Sequence, residues 1–129
     1  MTRQTFAPSL EEIAALARVA LARLPQPFLA LTDGVALHVE DFADEDVLRD
    51  LGIESPFDLS GLYHGRGIGG EAATGDMPPA VFLYRRPILD EWAETGESLE
   101  DLVAHILVHE IGHHMGLSDE DIERVEAGA

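Results

Sequence analysis

Apolar positions recur along this chain with two different periods, and the switches between them mark out the elements. Ser9 followed by Glu12 has the form of a capping box. Ile13, Leu16, Ala17, Ala20, Leu21 and Leu24 then repeat at helical spacing, which predicts a helix over Ser9 to Leu24, stopped by Pro25 and Pro27. Val35 to Glu40 alternates apolar and polar residues and reads as a strand. Asp44 to Leu51 reads as a short acidic helix closed by Gly52. Ser55 to Asp58 carries turn chemistry, and Leu59 to His64 and Val81 to Tyr84 are further strands. Between those two strands, Gly65 to Pro79 holds five glycines and two prolines without periodicity and is expected to be a loop.

Pro87 to Ala93 suits a short helix with proline at its first position. Ser98 caps a longer one, whose stripe of Leu99, Leu102, Val103, Ile106, Leu107 and Ile111 ends at Gly116 in the left-handed position. Ser118 caps a last helix, Asp119 to Glu126. Neither an internal repeat nor a linker is visible. Helices and strands in this order predict a single α+β domain over residues 1–129.

Composition narrows the function classes. The net charge of −17 repels phosphate backbones and makes nucleic acid an unexpected partner. Without cysteine there are neither disulfides nor thiolate zinc sites. The stretch Ile13 to Leu24 is short and interrupted by Arg18 and Arg23, so no membrane span is expected. Met1 to Leu10 does not resemble a secretory signal, and the expected location is cytoplasmic.

The chemistry concentrates in His109-Glu110-Ile111-Gly112-His113 and its continuation to Asp119. Residues four apart share a helix face, so His109 and His113 can hold one metal ion. Glu110, one position round, can reach a metal-activated water as general base. Random placement would produce the five-residue core roughly 0.03 times in a chain of this composition; with Gly116 and Asp119 at their offsets the figure falls to about 0.0002. The extended pattern therefore carries the inference.

Asp119 is the expected third ligand, since Gly116 lets the chain reverse and catalytic zinc keeps three protein ligands and an open position. Asp121 is the runner-up; Glu123 and Glu126 are further downstream candidates. His105 is expected to flank the cleft or lie exposed without ligating, and His114 to pack or face solvent. His38 and His64 fall on strands. Tyr63, His64, Tyr84 and Arg85 are candidates to stabilise an oxyanion. Gly65 to Gly75 could approach a substrate backbone or form a lid.

On these residues the chain resembles the small bacterial zincin-like metallopeptidases. The resemblance runs from about Leu10 to Glu126 and rests on four stretches. These are Val35 to Asp41, Leu59 to Gly65, Val81 to Ile88 with its Leu-Tyr-Arg-x-Pro-Ile pattern, and His109 to Asp119. It implies a minimal zincin-like α+β fold, a small twisted sheet over an active-site helix. It also implies zinc held by His109, His113 and Asp119, with Glu110 catalytic. Metzincin-type proteases share the extended motif but have a methionine turn well downstream; with ten residues after Asp119, a reduced fold is expected. The expected function is a zinc-dependent peptidase acting on peptides or small proteins. The rivals are a non-catalytic metal-binding interaction module and a metal-dependent amidase on a small substrate. The pattern does not fix an oligomeric state.

Overall fold

The computed structural model describes residues 6–26, 28–64 and 79–127. These form six helices and a small three-stranded mixed sheet, the expected α+β arrangement. Helix α1, Leu10–Ala22, starts from the anticipated capping box. Ser9 Oγ accepts the Glu12 N–H at 3.1 Å, and Glu12 Oε1 accepts the Ser9 N–H at 2.9 Å. The helix ends two residues before the expected Leu24, yet Leu24 remains buried. A short helix not visible in the pattern, α2 at Phe28–Leu31, follows and drops Phe28 into the core. Four residues are too few to display a period.

Strand β1, Ala36–Glu40, leads to helix α3, Glu45–Leu51, closed by Gly52 at φ 70°. The Ser55 turn becomes a single 3-10 turn, Pro56–Asp58. Strand β2, Gly61–His64, is shorter than expected, and β3 spans Ala80–Tyr84. The sheet order is β1-β3-β2, with β1 parallel and β2 antiparallel to β3. The predicted loop lies outside the described residues except for Pro79, whose carbonyl accepts the Ala36 N–H.

Helix α4, Arg85–Thr95, begins directly where β3 stops, so Pro87 occupies its third position and not its first. Proline is tolerated there because the first four N–H groups of a helix lack internal acceptors. Helix α5, Leu99–His114, is capped by Ser98, and α6, Asp119–Glu126, by Ser118.

Helix α5 is the axis of the molecule. Its Leu102, Val103, Leu107 and Ile111 are buried against Ile13 and Ala17 of α1 and Val81 and Leu83 of β3. The opposite sheet face carries Leu62, Phe82 and Tyr84, covered by Leu48 and Val47 of α3. Among the described residues no helix is long and apolar enough to cross a membrane.

Candidate metal centre

Two glycines decide what lies beside the charged end of α5. Gly112, inside the histidine motif, is buried. A Cβ there would sit 2.7 Å from Ile122 Cγ1, so α6 comes closer than any other residue would allow. Gly61 does the same for the strand: a Cβ would sit 2.8 Å from Ile106 Cγ2 and 3.3 Å from Glu110 Cγ. Helix α5 is thus gripped between α6 on one side and β2 on the other.

The turn that returns α6 is a Schellman motif. The Gly116 N–H donates to the His113 carbonyl at 2.9 Å and the Leu117 N–H to the Gly112 carbonyl at 3.0 Å, with Gly116 at φ 85°. Ser118 Oγ then accepts the Asp121 N–H and starts α6. The result sets Asp119 over the end of α5. His113 Nε2 lies 2.7 Å and His109 Nδ1 3.8 Å from Asp119 Oδ1. The donor atoms of the three residues all fall within 4.8 Å of one another. Ligand atoms around tetrahedral zinc, with bonds of about 2.0–2.1 Å, stand roughly 3.3 Å apart, a value the two observed separations bracket. The donor set therefore fits a small divalent ion after shifts of about half an ångström.

Asp121, the runner-up, faces elsewhere: its carboxylate lies 3.4 Å from Arg124. Glu123 is exposed. Glu126 is placed differently from its neighbours, with Oε1 3.4 Å from His109 Nε2 and Oε2 2.9 Å from His105 Nδ1. His105 is half exposed, as expected, but belongs to this cluster, with its ring centroid 4.2 Å from that of His109. His114 stacks on Tyr63 at 3.8 Å between centroids.

Glu110 faces β2. Burial pushes its carboxyl up to about 7, against smaller downward pulls from His113 and from a hydrogen bond to the Tyr63 backbone. The strand register explains that bond. Tyr84 N–H donates to Ser60, so residues 60, 62 and 64 pair through hydrogen bonds with β3, while Gly61 and Tyr63 turn their backbone groups the other way. The Tyr63 N–H is thus available to Glu110. Neither Arg85 nor Arg86 is the partner of Glu110. Arg85 is held by Asp41 at 3.0 Å and by the Pro8 carbonyl, and Arg86 lies over the Phe42 ring.

Of the four oxyanion candidates, Tyr63 alone shares the α5 side of the sheet by strand alternation. His64 and Tyr84 point to the other face and Arg85 is tied down. Burial, with Glu40, Asp44 and Glu110 nearby, pushes the Tyr84 hydroxyl up to about 12. His38, on that same far face, stacks on Phe82.

Glu126, one of the further downstream candidates, and His105, expected to flank the cleft, both lie beside His109; the roles of Gly61 and Gly112 were not anticipated from the sequence. A glycine inside a helical stripe was the one available signal, since it costs about 1 kcal/mol against alanine and so asks for a packing reason.

This helix sets paired imidazoles and an aspartate returned by a glycine turn where they could hold a metal ion, beside a half-buried carboxylate. The match to known families agrees: residues 32–129, about three-quarters of the chain, fit the zincin-like metallopeptidase family. The chain belongs to that family of zinc-binding peptidases. A search of curated proteins finds no match.

Proposed function

We propose that the protein is a zinc-dependent peptidase in which His109, His113 and Asp119 hold the ion and Glu110 is the general base. The observation that carries this reading is the convergence of the three donors beside a half-buried carboxylate of raised proton affinity. Zinc, when bound, supplies Lewis acidity, acidifying water and polarising a carbonyl.

The remaining chemistry belongs to the chain. Glu110 accepts a proton from the attacking water as the oxygen–carbon bond forms. It returns that proton to the leaving nitrogen as the carbon–nitrogen bond breaks. A carboxyl near pH 7 gives and takes protons readily at neutral pH, and a cation nearby draws it downward toward the ionised form. Strand β2 forms the edge of the sheet among the described residues, beside Glu110. An extended peptide is the substrate class that could pair with such an edge. Tyr63, on the same side, is the candidate to assist at the carbonyl oxygen.

The test is Glu110→Gln in zinc-loaded protein, assayed on a panel of peptides and small acylated amines. Hydrolysis should fall by about 10²–10⁴-fold while zinc stays bound. Unchanged hydrolysis would remove Glu110 from the reaction. Cleavage confined to the small amines would make the enzyme an amidase. No hydrolysis by the zinc-loaded parent would leave a metal-binding interaction module.

A further inference from the structure

We infer that the far face of the sheet carries a second binding site, separate from the metal centre, that takes a guanidinium group. Its ligand is an alkylguanidine or the side chain of an arginine.

The site is a cavity of about 190 Å³ between the sheet and the start of α3. Strand alternation builds its floor. Phe82 and Tyr84 stand on one face of β3, Leu62 pairs with Phe82 from β2, and Glu40 pairs with Tyr84 from β1. Val47 and Asp44 line it from α3 and its N-terminal boundary.

Tyr84 is the residue that asks for a ligand. It is 2% exposed, yet its hydroxyl has no hydrogen-bond partner among the described residues. The hydroxyl is not sealed in either, as the side chain lines the cavity. A buried phenol is costly to leave unpaired, and the cavity is where its partner must come from. Burial, then Glu40 and Asp44, keep the hydroxyl protonated far above neutral pH. It can therefore donate to a carboxylate while its oxygen accepts from a cation.

The two carboxylates are also unclaimed. Asp44 occupies the N-cap position of α3, but its side chain does not cap the helix. No arginine pairs with it or with Glu40 among the described residues: Arg49 is held by Asp46, Arg85 by Asp41 and Arg124 by Asp121, and Arg86 lies over Phe42. The cavity thus offers negative charge, aromatic faces and a free acceptor, a set that selects a cation. A bare metal ion is served less well, since the donor clusters tight enough for one lie on α5 and α6. The rings of Phe82 and Tyr84 are within 19° of parallel, with centroids 6.4 Å apart. Aligned faces of this kind favour a flat, weakly hydrated guanidinium over a compact ammonium.

The experiment titrates the full metal-free chain, ¹⁵N-labelled, with methylguanidinium chloride, with methylammonium chloride at equal ionic strength, and with the neutral isostere N-methylurea. Backbone amide shifts report where each binds. Methylguanidinium should saturate near the millimolar range and move signals of β1, β3 and α3. Methylammonium should bind at least about fivefold more weakly, and methylurea should not saturate. Glu40→Gln and Asp44→Asn should each weaken methylguanidinium about three- to fivefold, and Tyr84→Phe about three- to tenfold. Asp46→Asn removes the same charge from α3 and should stay within about twofold of the parent. Circular dichroism checks the fold, and if Tyr84→Phe fails to fold, the exposed Glu40→Gln carries the test. A blocked arginine amide binding more tightly than methylguanidinium would make the ligand a peptide side chain; weaker binding would make it a free alkylguanidine. Four results would overturn the site: no saturation below about 50 mM, equal binding of methylammonium or methylurea, shifts centred on α5 and α6, or Asp46→Asn weakening binding as much as Asp44→Asn.

Discussion

The two flanks of α5 carry the same kinds of groups in opposite surroundings. On the β2 flank, Gly61 lets the strand lie almost on the helix, and Glu110 is dry enough for its proton affinity to climb to about 7. On the α6 flank, Gly112 permits an equally close approach, yet Asp119 and His113 remain 74% and 49% exposed. Close packing by itself does not desolvate a side chain. What matters is whether the packed element overhangs it or stops short. The dry flank sets the affinity of a carboxylate for protons, and the wet flank leaves the donors open for an ion to enter and leave.

The comparison can be broken most severely at His109, the residue shared by the ion and the Glu126 contact. His109→Ala should abolish stoichiometric zinc, read by elemental analysis, with a loss exceeding the roughly 100-fold ceiling of outer contacts; retained stoichiometric zinc would exclude His109 as a ligand. Next come the two acids of α6. Asp119→Asn should weaken zinc by at least tenfold in chelator competition. Asp121→Asn, which disturbs only the surface contact to Arg124, should leave affinity unchanged and move stability by under about 0.5 kcal/mol. The reverse ranking would hand the third position to Asp121.

The glycines sharpen the contrast. Gly112→Ala and Gly61→Ala each crowd a neighbour and should cost about 1–3 kcal/mol in thermal unfolding. Gly112→Ala should also loosen zinc, whereas Gly61→Ala should lower turnover at unchanged zinc affinity. Matching effects on both readouts would dissolve the distinction between the flanks.

A last effect concerns pH. In the metal-free chain the folded carboxyl of Glu110 titrates near 7 and the unfolded one near 4.5, so the folded state binds more protons between those values. Its contribution is complete below about pH 4.5 and is lost as pH rises through 7, about 1–3 kcal/mol in all. Glu110→Gln should remove that slope and leave the variant the more stable above pH 7, read as the difference between parent and variant melting curves.

Much of this was legible from local signals. Ser9, Ser98 and Ser118 cap the helices they were expected to cap, and the spacing of His109, His113, Gly116 and Asp119 foretold a cluster that the turn assembles. These are short-range rules of helix geometry, satisfied within one or two turns. What the spacing left open depends on packing. Glu126 reaches His109 only because two helices nest at Gly112, and nothing in the spacing of residues 109 and 126 announces it. The dryness of Glu110 depends on a strand about fifty residues earlier in the chain. The start of α4 at Arg85 follows from its direct junction with β3, which shifted Pro87 two places inward.

The Schellman turn at Gly116 has one more consequence. All three candidate donors fall within residues 109–119, so an ion would close a chelate ring spanning a single reversal. Short closures cost little chain entropy and form early. Capture of the ion could therefore accompany the nucleation of the α5–α6 hairpin, before the distant strands have found their register. A chelator added to the finished molecule would, by the same reasoning, release the C-terminal helix first and leave the contacts of α1 with the sheet in place.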